Sequence, residues 1–172
     1  MRMLKNLLFM VVSALFITGC VAKPIPKLTN QFNEQDFAPY AKKGTASIIG
    51  QAFLKTRGGE VRYGAGDTIF LFPSTPYTRE MQHFTHHEIT NRVTIENVDK
   101  RWRDYIKKIT ADGSGNFEFS DIPAGEYFLE CALFWEVPKS CYGCAGLEET
   151  GEVLRKQIKI TEGEKLKIML TD

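Results

Sequence analysis

The chain has 172 residues, of which 43% are hydrophobic and 12% aromatic, with a formal charge of +1. That is enough for one domain with a real core, and the aromatic and β-branched content excludes a disordered chain. Near-neutral charge removes the electrostatic case for nucleic-acid binding and leaves no polybasic patch for a membrane surface.

Arg2 and Lys5 precede an apolar run at 7–17, which Ile17-Thr18-Gly19-Cys20 follows. The run is about half the ~20 residues that a membrane-crossing helix needs, so it suits a signal segment better than a permanent span. Ile17-Thr18-Gly19-Cys20 resembles the lipobox of bacterial lipoproteins. The resemblance implies a signal peptide at 1–19, cleavage between Gly19 and Cys20, and lipid on the Cys20 thiol. The chain would then be held on a bilayer by several acyl chains, each buried methylene contributing about 0.8 kcal/mol. The same resemblance implies, from Val21 after the anchor, the periplasmic side of the outer membrane in a cell that has one. Residues 1–19 hold two cations and no acid, so their removal takes the formal charge from +1 to −1.

Residues 20–44 read as the lipidated terminus and a tether. Pro24 and Pro26 stiffen its start, and 30–36 show neither helical nor strand period. Phe32, Phe37 and Tyr40 leave a second role open, packing onto the domain that follows.

From Thr45 the pattern becomes that of strands. Residues 46–54 are β-rich and end at Arg57-Gly58-Gly59, and 68–72 are apolar on both faces, as in a central strand. Residues 78–84 suit a helical turn or two, and 104–110 return to strand. Asn116-Phe117-Glu118-Phe119 alternates cleanly. The longest candidate is 126–135, with Tyr127, Leu129, Cys131, Leu133 and Trp135 on one core-facing side. Residues 157–160 and 166–170, joined at Glu162-Gly163-Glu164, read as a closing hairpin. These short strands predict an all-β fold, an antiparallel Greek-key sandwich of about seven strands spanning 45–172. A partly helical or irregular insertion interrupts it at about 74–104.

The stretch from Thr110 to Tyr127 contains Thr110-Ala111-Asp112-Gly113-Ser114-Gly115, then Phe117-Glu118-Phe119, then Ile122-Pro123-Ala124-Gly125-Glu126-Tyr127. It resembles the carboxypeptidase regulatory-like, transthyretin-like domains, in which a T-D-x-x-G turn, an F-x-F strand and an [LI]-P-x-G-x-Y corner follow one another. Gly59, Val61, Ala65, Ile69 and Leu71 resemble that family's approach to its second strand. The motif consists of folding residues. The resemblance therefore implies a transthyretin-like sandwich and a non-enzymatic accessory or interaction module.

Asp112, Ser114 and Asn116 alternate as in a calcium loop, but Phe117 and Pro123 stand at its sixth and twelfth positions, which favours a hairpin. With Cys20 lipidated, three thiols remain. Cys141-Tyr142-Gly143-Cys144 favours a structural Cys141–Cys144 disulfide, with Cys131 buried and free; no helix follows the pair to make it redox-active. His83, His86 and His87 would share one face of a helix, an alternative metal-binding or thiol-dependent reading that Cys141 and Cys144 would complete. Trp102 between Arg101 and Arg103 reads as a half-buried ring with its charges outward. No G-x-S-x-G elbow, Walker loop, dinucleotide fingerprint or Ser/His/Asp spacing is present. The sequence thus predicts no cofactor and no catalysis, only an anchored envelope domain whose partner is a protein or a glycan.

Overall fold

The computed structural model describes residues 25–86, 94–139, 141 and 145–171. The signal segment, Cys20, His87 and Cys144 lie outside the described residues. Among the described residues eight strands form two four-stranded sheets, confirming the all-β sandwich. In the first sheet β1 (Ala46–Lys55) is antiparallel to β2 (Val61–Tyr63) and β5 (Asn116–Ile122), and parallel to β8 (Lys165–Leu170). The second sheet runs β4 (Lys107–Thr110), β3 (Thr68–Pro73), β6 (Gly125–Pro138), β7 (Leu147–Ile160), all antiparallel.

Period-two patterning places the core. Ile48 and Ala52 from β1 meet Ile69, Leu71, Leu129, Cys131 and Leu154 from the second sheet, and every one of them is at most 1% exposed. The side of β6 assigned to the core from sequence is buried from Tyr127 to Leu133, with Trp135 half-buried at its end. Tyr127 closes one end of the core. Its hydroxyl donates to the Pro123 carbonyl at 2.8 Å, and its ring meets Tyr40 edge-on at 5.1 Å. Gly125 lies under Tyr40, where a Cβ would come within 2.7 Å of the ring. Gly115 sits at φ 76°, and a Cβ there would come within 2.5 Å of the Ala52 carbonyl oxygen. Asp112 Oδ1 accepts from the amides of Ser114 and Asn116, both at 2.8 Å, and Oδ2 from the Asn116 side chain at 2.9 Å. The carboxylate is thus committed to its own hairpin.

The closing hairpin expected from 157–160 and 166–170 is corrected: β7 and β8 lie in different sheets. The turn between them is fastened to the start of β1. The Gly163 amide donates to Thr45 Oγ1, the Thr45 hydroxyl to Glu162, and the Ser47 amide to the Glu164 carbonyl. That steers β8 alongside β1, where Leu166, Ile168 and Leu170 face the same core as Ile158 and Ile160. β7 is also much longer than its apolar end suggested. It pairs with β6 from Gly125↔Ile160 to Pro138↔Leu147, and the distal half is a two-stranded ribbon beyond the reach of β3.

The insertion builds a third layer on the outer side of the second sheet. Helix α1 (Pro76–His86) is longer than the expected turn or two because its start is fully capped. Thr75 Oγ1 accepts from the Thr78 amide at 3.2 Å, the Thr75 amide donates to Thr78 Oγ1 at 2.8 Å, and Pro76 occupies the first turn. Trp102, in the 3-10 turn Lys100–Tyr105, packs edge-on against Phe72 of β3 at 5.7 Å and is half-buried, as its neighbours suggested.

The tether expected at 20–44 is corrected from Leu28 onward, and the choice left open for Phe32, Phe37 and Tyr40 falls to packing. Leu28, Phe37, Tyr77 and Met81 form a second buried cluster, bordered by Phe32, Trp102 and Tyr105. Phe32 stacks on Phe37 at 4.9 Å. The backbones of Lys27 and Glu96 pair in an isolated parallel β-bridge, and Asn97 exchanges two hydrogen bonds with the Leu28 backbone at 3.1 Å each. Glu80 of α1 accepts four hydrogen bonds from Thr29 and Asn30, which hold its carboxyl down at about 2. Apolar side chains that find a sheet face do not remain in solvent.

Two predictions follow from this strap. Phe37→Ala should destabilise the fold by about 3 kcal/mol, the range for a buried aromatic, measured by urea unfolding; a free tether would give no change. Because the Glu80 carboxyl is lowered from 4.5, its contribution is present above pH 4.5 and lost as pH falls toward about 2. Urea midpoints across that window should fall further for the unsubstituted chain than for Glu80→Gln.

Candidate functional site

Where α1 lies across β6 and β7 it leaves a cleft of about 370 Å³. Arg79, Gln82 and His83 reach it from the helix at positions i, i+3 and i+4, one face of α1. Phe128 lines it from the outer side of β6, and Arg155, Lys156 and Gln157 line it from β7. The strands make these positions rigid. Phe128 is held by Phe72 at 5.6 Å, and β6 is hydrogen-bonded on both edges.

Hydrogen bonds orient the polar side chains. Arg79 Nη1 donates to the Ser74 carbonyl at 2.9 Å, and Gln157 Nε2 donates to Ser74 Oγ at 3.2 Å. Lys156, in register with core-facing Leu129, turns its Nζ away to the other face of the sheet, where it donates to the Met169 carbonyl of β8 at 3.2 Å. Behind the cleft, Arg155 Nε donates to Glu130 Oε1 at 2.9 Å while Nη1 donates to the Thr85 carbonyl at 3.2 Å. Burial pushes the Glu130 carboxyl up, and Arg155 and Gln82 pull against that shift. The pair is largely enclosed, with side-chain exposures of 17% and 16%. Removing one partner would leave the other charge buried and uncompensated.

This arrangement supplies donors, acceptors, cations and one apolar platform. It is a binding chemistry. Glu130 is the carboxylate nearest the lining that is paired with a cation, and its partners occupy it. Among the described residues no three His, Cys, Asp or Glu side chains converge as a metal site would require. His83 lines the cleft, with its ring 5.8 Å from Phe84. The side chain of His86, like all of His87, lies outside the described residues, so the three histidines are not brought together here. Cys131 is a buried free thiol, pushed up to about 12 by burial and by Asp67. Cys141, past the end of the β6–β7 ribbon, is disulfide-bonded, and its partner lies outside the described residues.

Among the described residues named from sequence, only His83 belongs to the cleft. Arg79, Gln82, Phe128, Arg155, Lys156 and Gln157 were missed. Two signals were available: the i, i+3, i+4 spacing of Arg79, Gln82 and His83, and the outward parity of Phe128 on a strand whose inward parity was clear. Nothing in the sequence marked Arg155, because 147–156 showed no strand pattern, and Gln157 opened an expected strand with no sign that its face met a helix.

No family model and no curated protein matches the chain. Among solved structures it is similar to PA1324 of Pseudomonas aeruginosa, described as a candidate carbohydrate-binding protein. The TM-score is 0.71 at 22% identity, over 83% of this chain and 99% of that one. That likeness shows a shared β-sandwich fold. The minor pilin GBS52 of Streptococcus agalactiae is similar at a TM-score of 0.38 and 15% identity, over 76% of this chain and 44% of that one.

The buried thiol gives a direct test of thiol chemistry. With Cys131 pushed up to about 12, almost none of it is thiolate at pH 8. Iodoacetamide should leave the Cys131 peptide unmodified in the folded chain and label it fully in denaturant, as read by mass spectrometry. Rapid labelling of the folded chain would contradict the burial.

Proposed function

We propose that this chain is a lipid-anchored, non-catalytic module of the cell envelope that binds glycan in the cleft between α1 and the β6–β7 strands. The observation that carries the reading is the lining itself. Phe128 offers a flat apolar face, while Gln82 and Gln157 offer paired donors and acceptors. A pyranose needs both, since it has apolar C–H faces and a rim of hydroxyls that donate and accept. Specificity in such sites comes from a few polar groups placed on a rigid frame, here one helix and two hydrogen-bonded strands. The description of PA1324 as a candidate carbohydrate-binding protein supports the ligand class, because that chain shares this fold over nearly its whole length.

The anchoring part of the proposal rests on the lipobox-like Ile17-Thr18-Gly19-Cys20. An accessory module of the carboxypeptidase regulatory-like type fits the corner motif and supplies no competing chemistry. Held at a bilayer, such a domain would present the cleft to polymers of the envelope, on the periplasmic face of an outer membrane where the host has one.

The full chain in detergent should retain a defined subset of envelope glycans on an array, and Phe128→Ala should weaken retention about tenfold, a loss near 1.4 kcal/mol. An array on which nothing binds would refute the glycan reading. In cells, an alkyne palmitate analogue should label the chain and fail to label Cys20→Ala; equal labelling of both would refute the anchor.

A further inference from the structure

The outer face of the first sheet, unlike that of the second, carries no third layer among the described residues. Of the seven large apolar side chains that stand exposed among those residues, four lie on this one face. They are Ile49 and, by their registers with outward positions of β1, Val61, Tyr63 and Met169. Phe53 of β1, half-buried, meets the Tyr63 ring at 6.4 Å. Soluble surfaces seldom carry such a patch unless something seats on it.

We infer that a second copy of this chain seats on it, with the two-fold axis of the pair running along β1. Charge placement selects that occupant. β5 and β8 flank β1 on opposite sides, and in the row through Ile49 they place Glu118 on one side and Lys167 on the other. Both are exposed, and neither is in an ion pair among the described residues. Turning the face over about β1 exchanges its two sides. Lys167 of each copy then lies opposite Glu118 of the other, and Ile49 lies opposite Ile49. A surface whose charges reverse across its own midline is complementary to itself, as an isologous two-fold contact requires. An axis across the strands would instead lay β8 on β8 and set lysine against lysine. Lys55 and Lys165 fall in the rows at the two ends of the face, where solvent screens them.

The footprint sets the strength of the contact. β1, with its ten residues, extends about 33 Å and three strands span about 14 Å, roughly 450 Å² on each copy. Two such faces bury about 900 Å², the low end for a specific contact, so the dimer is reversible and not obligate. The cleft lies on the outer side of the other sheet, so the pair keeps both clefts open, on opposite sides. The contact is independent of what the cleft binds.

The test is sedimentation of the full chain in density-matched detergent over a range of concentration. The unsubstituted chain should pass from monomer to dimer as concentration rises. Lys167→Glu and Glu118→Lys should each raise the dissociation constant about tenfold or more, because each sets like charges opposite one another at two points. Mixing those two variants should restore the dimer, since every acid then meets a lysine of the other chain. The doubly substituted chain should dimerise too, because its row is merely reversed.

A chain that stays monomeric at millimolar concentration would overturn the inference, and that result needs no variant. A dimer that persists in both single variants would overturn it as well, by placing the contact on another surface. Loss of the dimer in both, without restoration on mixing, would leave the face to a partner of a different kind and sink the two-fold pairing.

Discussion

Strand β6 is covered on both faces, and most of the molecule depends on that double burden. Its inward residues Tyr127, Leu129, Cys131 and Leu133 fill the sandwich. Its outward residues Phe128 and Glu130 lie under α1, so the second sheet cannot end at a solvated face. A sheet with apolar groups on both sides requires a layer on each. The first sheet supplies one layer. The insertion, which interrupts an otherwise regular sandwich, supplies the other.

The outer layer in turn requires the N-terminal segment. Helix α1 buries Tyr77 and Met81 on the side that Leu28 and Phe37 cover. Without that cover the helix would expose a large apolar patch, which soluble surfaces seldom carry. Thr78 at this junction is fully buried, and its hydroxyl donates to the Pro73 carbonyl at 2.6 Å, whereas the Trp102 indole N–H is buried with no partner among the described residues. Burying that hydroxyl without a partner would cost several times what the bond contributes net. The segment after Cys20 is therefore part of the fold from about residue 28, which leaves only a short spacer between the proposed anchor and the packed chain.

The cleft is a by-product of this layering. α1 lies over β6 and β7 and is tied to β7 where Arg155 donates to the Thr85 carbonyl, and the depression beside it is lined by Arg79, Phe128 and Gln157. Its walls carry long polar side chains because both elements are half-solvated there. The backbone carbonyls of Ser74 and Thr85 accept from Arg79 and Arg155. The same geometry that satisfies stray carbonyls also aligns the charges that face the cleft.

Local chemistry was readable from sequence wherever it is written within a few consecutive residues. The Asp112 hairpin, the Pro123–Gly125 corner, the alternation along 116–119 and 126–135, and the buried Cys131 all follow from steric and solvation rules that act between neighbours. What the tertiary structure decided depends on partners distant in the chain. The full length of β7 exists because β6 offers fourteen consecutive pairing positions, although the polar residues 147–156 show no strand signal of their own. The parallel course of β8 comes from a turn bonded to Thr45 and Ser47, more than a hundred residues away. Phe37 reads as a tether residue until α1 presents a surface for it. Arg79 and Arg155, seventy-six positions apart, become one site only when a helix crosses a sheet. Backbone pairing and apolar burial are satisfied across the whole molecule, and a linear pattern records only the half of each contact that it contains.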